Sequence, residues 1–227
     1  MSRAEVDDEL QTTPDCPLGV SGCRIVGELR LLREENRRLL DQLHVDNLTG
    51  LFNYRHFRES LEVEIARSER TGQAVGLLML DLDHFKRVND TYGHEVGNLA
   101  LRHTAHLLRV GVRRIDIPCR YGGEEFIVIL PAVGLRTAVQ VAERVRKDIE
   151  ASPFTGEDRQ IALTASFGVD VREAGDKDDA EGFVKRIDRL LYRAKELGRN
   201  RVCHPPLGVR SENTQVSVDE KKLLLKG

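Results

Sequence analysis

The 227-residue sequence has no large surplus of either charge: 35 Lys and Arg stand against 37 Asp and Glu, a formal net charge of -2. Proteins that coat nucleic acid carry a strong basic excess, so no nucleic-acid partner is expected. No apolar run approaches the ~20 residues needed to span a bilayer. The opening stretch MSRAEVDDELQTTPD is acidic and holds no apolar core of the signal-peptide kind. A cytoplasmic protein with no membrane span is the expectation. Cysteine is scarce and scattered (Cys16, Cys23, Cys119, Cys203), which in a cytosolic chain implies free thiols. Cys16 and Cys23, in CPLGVSGC, match no common zinc spacing. There is no internal repeat, and no recognisable sensor domain is expected ahead of residue 24.

What is present suffices for one ordinary domain with flanking segments: 40% of residues are hydrophobic and 32% charged, well mixed. Residues 1–23, with Pro14, Pro17, Gly19 and Gly22, read as a flexible leader. In the next stretch Ile25, Leu29, Leu32, Asn36, Leu39 and Leu43 fall at alternating spacings of four and three. That is a heptad seam with a polar residue at one a-type position, a device that fixes a parallel two-stranded register. Residues 24–45 therefore predict a dimerising coiled-coil helix; the alternative is one amphipathic helix packed on the domain. The main domain is expected over 46–204 and a polar tail over 205–227.

Within that domain, DNLTGLFNYRHFRESLEVEIARSER reads as a turn running into a helix capped by Asn53. AVGLLMLDLDHF opens with the continuous apolar run of a central strand. The dipeptides ND and YG suggest turns after it, ahead of a helix over GHEVGNLALRHTAHLLRVGVR. IDIPCRY and FIVIL are strands joined by GGEE, a hairpin signal. LRTAVQVAERVRKDIEAS is a helix, QIALTASFGVDV a strand, AEGFVKRIDRLLYRAKELG a helix ending at Gly198, and RNRVCH a short last strand. Together these predict an α+β fold, a central sheet flanked by helices.

The carboxylates ask for an explanation. Strand alternation puts Asp81 and Asp83 on one face and Leu82 on the other. An ionised carboxylate at the end of a buried strand costs several kcal/mol unless a cation or donors compensate it. Glu124 and Glu125 open the hairpin arm; if that arm lies beside the DLD strand, they converge with Asp81. Such hard oxygen ligands suit Mg2+ or Mn2+ rather than zinc, and Mg2+ is held through one or two carboxylates plus substrate phosphates. With Lys86, Lys195 and Arg199 nearby in sequence motifs, phosphoryl or nucleotidyl transfer is one reading. Acidic hairpin tips that merely discourage edge pairing are the other.

Four motifs in order resemble the GGDEF-domain diguanylate cyclases: DNLTGLFN, DLDHFKRVNDTYGHEVGN, RYGGEEF and YRAKELGRNR. The resemblance covers roughly residues 46–204. It implies a fold like the palm of nucleotide cyclases and polymerases, with a central antiparallel sheet. It also implies that two GTP-loaded domains face each other and make cyclic di-GMP and two pyrophosphates. Asp81, the carbonyl of Leu82 and Glu124 would hold two Mg2+ ions, assisted by Glu125. Glu124 would accept the 3′-OH proton, and Lys86 would stabilise transition-state charge. Lys195 and Arg199 would grip the triphosphate, and the amides near His84 and Phe85 would meet phosphate. Asn89 would read guanine, with His94 in the same wall. RRID places Arg113 and Asp116 in the R-x-x-D pattern of the family's product-inhibition site, and Arg144 resembles the arginine an opposing domain contributes. The alternative is an exposed Arg–Asp pair of little energetic weight.

Two positions depart from the pattern. Asn98 stands where the family usually has Asp; an amide offers one acceptor oxygen and one donor NH2, so guanine strictness is in question and a mixed cyclic GMP-AMP product is conceivable. Tyr54 replaces a frequent Arg. A catalytically silent module that binds cyclic di-GMP through Arg113 and Asp116 is the competing expectation. Silent members usually have a damaged signature, whereas Asp81, Glu124, Glu125 and Lys86 are all present here.

Overall fold

The computed structural model describes residues 24–42, 44–156 and 159–207. Cys16, Cys23, Leu43, most of the tail and the side chains of Asn36 and Leu39 lie outside the described residues. The first helix, α1, runs Arg24–Gln42. Of the heptad seam, Ile25, Leu29 and Leu32 are all exposed on the single chain.

The domain is organised by β1 (Val75–Leu82), which is buried at every position. It lies at the centre of a five-stranded sheet ordered β2-β3-β1-β6-β7, with β2 at Ile117–Gly122, β3 at Glu125–Leu130, β6 at Ala165–Arg172 and β7 at Val202–Cys203. The three long ladders are antiparallel; only the short β6–β7 pair is parallel. Helices cover both faces, which is why β1 reads as unbroken apolar sequence instead of alternating. Leu77 and Met79 pack with Phe57, Leu61, Phe183 and Ile187 from α2 (Tyr54–Thr71) and α5 (Ala180–Glu196). Leu78 and Leu80 pack with Leu101, Leu108, Val145 and Ile149 from α3 (Phe85–Gly111) and α4 (Leu135–Ala151). Gly168 lets α5 lie directly on β6, since a Cβ there would meet the Ile187 carbonyl oxygen and the Leu191 amide nitrogen.

Local chemistry sets the element ends. Asn53 caps α2 by accepting from the His56 amide at 3.0 Å, and Gly72 closes that helix in the left-handed conformation. Asp179 caps α5 through the Gly182 amide. Ahead of α2, Phe52 bridges Cys119, donating to Pro118 O and accepting from the Arg120 amide, so the DNLTGLFN stretch lines the outer edge of β2. Cys119 and Cys203 are free thiols, and burial pushes Cys119 up to about 12.

Two expectations are corrected. QIALTASFGVDV is not one strand: β5 (Arg159–Ile161) pairs with β4 (Phe154–Gly156) in a separate hairpin, and β6 starts at Ala165. The chain leaves the ladder between them because Thr164 turns toward Asp83, accepting from its amide at 2.9 Å and donating to its carboxylate at 2.8 Å. FKRVNDTY is helical rather than a turn. The reversal comes earlier, at His84 (φ 58), and α3 kinks later at Gly93 (φ 80, ψ 164).

Candidate active site

The β1–β3 register places Asp81 directly opposite Glu125, and the Leu82 amide approaches Glu124 O at 3.4 Å. Glu124 sits in the turn that joins β2 to β3, behind Gly123 at φ 38. A positive φ of this kind is strained for a residue with a Cβ. A Cβ on Gly122 or Gly123 would meet nothing within the fold, so the missing side chains leave open space above the turn. Arg120 clamps that turn, donating to Gly123 O at 2.8 and 3.1 Å while pairing with Asp46 at 3.3 Å. The Asp46 carboxylate also accepts from the Thr49 amide and hydroxyl. Sequence reasoning missed Arg120 and Asp46 as a pair, because 74 positions separate them.

Asp81 is buried, and burial pushes its carboxyl above the usual range, opposed by a Lys195 ion pair at 2.7 Å. Glu124 and Glu125 are likewise raised, first by burial and then by the Asp81 charge. The expected convergence of these acids is therefore present. Asp83 does not join them. Its carboxylate is consumed by Thr164 Oγ1 (2.8 Å), Ser166 Oγ (2.7 Å) and the Asn200 amide (3.0 Å). The strand ends at Leu82, so the alternation that grouped Asp83 with Asp81 stops one residue too soon.

These groups fit a hard divalent cation. Three half- to fully buried carboxyls disfavour ionisation in one another's company, and the Lys195 ammonium already acts as a resident cation on Asp81. Among the described residues no group of three or more His, Cys, Asp or Glu is gathered so that it could hold a metal by itself. Mg2+ draws its remaining ligands from substrate phosphates and water.

His84, in the left-handed region, makes no side-chain cap bond to the start of α3. Phe85 is buried in the core, while Lys86 on the same turn is exposed. Beyond the Gly93 kink, α3 folds back so that Asn89 lies over Gly97: a Cβ on Gly97 would run into Asn89 Oδ1. Asn98, half-buried, is the next residue, and His94 is exposed at the kink. Asn89 therefore lies against Gly97, the residue before Asn98.

A family model described as "Diguanylate cyclase, GGDEF domain" matches residues 43–201. The chain belongs to this family. It is 43% identical over 173 residues to Response regulator PleD of Caulobacter vibrioides, covering 75% of this chain and 38% of PleD. It thus spans well under half the length of that relative. Among solved structures, diguanylate cyclase SiaD of Pseudomonas aeruginosa, in complex with its activator SiaC, superposes at TM-score 0.69 and 33% identity, over 89% of this chain and 70% of that one. The coiled coil and GGDEF domain of DgcB from Caulobacter crescentus, in complex with c-di-GMP, gives TM-score 0.69 at 27% identity, over 89% and 98%.

Away from the GGEE turn of this GGDEF domain, Arg113 and Asp116 form more than an exposed pair. Asp116 is fully buried as a side chain and takes Arg113 Nη2 at 2.7 Å, Nε at 3.1 Å and the Arg113 amide at 2.7 Å. The Asp116 hydrogen bonds raise the Arg113 pKa; the Arg113 side chain remains 46% exposed, with Nη2 also donating to Pro131 O at 3.1 Å. Asp116 and Pro131 O therefore fix the Arg113 guanidinium in place on a partly exposed side chain. Arg144, on α4, donates to Gly111 O of the same chain at 2.6 Å, which sets it beside the same loop. Among the described residues no helix is long and apolar enough to cross a membrane.

Proposed function

We propose that the chain is a diguanylate cyclase that condenses two GTP into cyclic di-GMP and two pyrophosphates at the meeting of two domains. The observation that carries this reading is the register of Asp81 against Glu125 beside Glu124, with Lys195 on Asp81 and Arg199 close enough to lower its carboxyl. Asp81, Leu82 O, Glu124 and Glu125 would hold two Mg2+ ions, which supply charge neutralisation along the phosphates and activate the attacking hydroxyl. Glu124 accepts the 3′-OH proton; the oxygen attacks the α-phosphorus of the opposing GTP, and the bond to pyrophosphate breaks. Lys86 stabilises charge on the phosphorane, Lys195 and Arg199 hold the triphosphate, and the amides at His84 and Phe85 meet phosphate oxygens. Asn89 reads guanine beside His94. One domain presents one nucleotide, so two must meet; pairing of the exposed Ile25–Leu29–Leu32 seam in a second copy, through residues 24–45, would raise their effective concentration. Purified protein incubated with GTP and Mg2+ tests this by chromatography: cyclic di-GMP and pyrophosphate are expected, and a product-free reaction leaves the silent binding module in its place.

The Arg113–Asp116 loop is the proposed feedback site, with Arg144 as its second arginine. Substituting Arg113→Ala is expected to raise the cyclic di-GMP concentration for half-inhibition by about tenfold or more, from loss of charge-assisted bonds. The uninhibited rate should stay near wild type. An unchanged inhibition curve would remove the loop from regulation.

A second reading concerns base choice. Asn98 follows Gly97, which lies against Asn89, and its amide can present a donor where a carboxylate cannot. GTP should remain preferred, with a mixed GTP–ATP product detectable by mass spectrometry; strict GTP use would rule out relaxed specificity.

A further inference from the structure

We propose that Asn200 is a positioning residue that locks the triphosphate-gripping turn, held between Asp83 at the end of β1 and Arg146 and Glu150 on α4. The purpose of the lock rests on the cyclase reading above; the lock itself does not. After α5 the chain makes three successive left-handed residues: Gly198 (φ 109), Arg199 (φ 61) and Asn200 (φ 46). L-residues avoid this region, Asn least of all, and two consecutive non-glycine examples persist only where the surroundings over-determine them.

The surroundings do so here. The Asn200 amide donates to Asp83 Oδ2 at 3.0 Å. Its side chain is used from both ends: Nδ2 donates to Glu150 Oε1 at 2.7 Å, and Oδ1 accepts from Arg146 Nη1 at 2.8 Å. Arg146 is itself fixed by Glu143 at 3.0 Å and Glu150 at 2.9 Å. Asp83 is buried and anchored by Thr164 and Ser166. On the other side of the turn, the Arg199 amide returns to Ala194 O at 3.0 Å, and Arg201 O accepts from the Phe167 amide at 2.8 Å. Residues from the turn after β1 and from α4, α5 and β6 thus converge on one turn. That turn fixes Arg199 relative to Asp81, the carboxylate that Lys195 from the same motif already contacts. Asp83 and Asn200 do not touch the reacting atoms in this arrangement; they set where Arg199 stands.

Glu150 offers a test remote from the GGEE turn. Two variants, Glu150→Ala and Glu150→Gln, are compared with wild type by hydrogen exchange across 198–201 and by GTP kinetics. Loss of the acceptor in Glu150→Ala should speed exchange in that turn about tenfold and raise KM for GTP about fivefold, with kcat within about twofold. Glu150→Gln retains an acceptor oxygen and should restore most of both. Unchanged exchange in Glu150→Ala overturns the lock, whether or not GTP is turned over. Faster exchange with unchanged KM and a reduced kcat overturns its positioning role, since that pattern reports only a smaller active fraction. If wild type makes no cyclic di-GMP, the cyclase reading fails, and calorimetric Mg2+–GTP affinity replaces KM with the same outcomes. A wild type that also binds no GTP overturns the purpose of the lock.

Discussion

Exchanging Glu124 for Gln is expected to lower cyclic di-GMP formation by about a thousandfold or more while leaving the fold intact. The amide keeps the size of the side chain but can neither take the 3′-OH proton nor balance a divalent charge. Stability should not fall. Burial and Asp81 raise the Glu124 carboxyl, so the folded state disfavours its charged form. A carboxyl whose folded pKa lies above its unfolded value is a stabilising influence only at low pH, and its ionised form is a small burden at neutral pH. A neutral isostere relieves that burden. Urea midpoints at pH 7 equal to or slightly above wild type, together with vanishing turnover, are the expected pair of results. Activity above a tenth of wild type would mean that Glu124 serves neither role.

The largest stability effect should come from Gly168→Ala. A Cβ at this position meets not flexible side chains but the backbone of α5, at Ile187 O and Leu191 N, with Leu191 Cα at 3.1 Å. A helix cannot yield locally as a side-chain tip can, so the added methyl has to push α5 away from β6. We expect a loss of about 3 kcal/mol in denaturant unfolding, at or above the usual ceiling for overpacking. The same displacement would draw Lys195, near the end of α5, off Asp81, so activity should fall further than unfolding alone accounts for. A loss under about 1 kcal/mol would show that α5 is free to shift on the sheet.

Much of this was legible in the amino-acid pattern, for a physical reason in each case. The run GLLML could only be a strand covered on both faces, and β1 is that strand. Asn53 before a helical apolar pattern is a cap, and it caps α2. The convergence of Asp81 with Glu124 and Glu125 followed from placing two strands side by side. What could not be read was side-chain commitment across long separations. Asp83 looked equivalent to Asp81 in DLD, yet it is spent on Thr164, Ser166 and Asn200, partners more than eighty residues away in sequence. The short β4–β5 hairpin was hidden because LTA is apolar enough to pass for strand, and only the Thr164–Asp83 bonds pull it out of the ladder. The α3 start was misjudged because ND and YG favour turns locally, while packing of Phe85 and Val88 into the core holds that segment helical.

The two margins of the sheet have a consequence for how copies of this chain behave when crowded. On one side β2 carries Pro118, which has no amide to donate, and Phe52 already occupies part of its outer row. On the other, β7 is only two residues long. Among the described residues, neither margin of this sheet offers a long ladder of free donors and acceptors to a neighbour, which disfavours edge-to-edge pairing there. Copies of this chain that meet therefore find little free strand edge on this sheet to pair with.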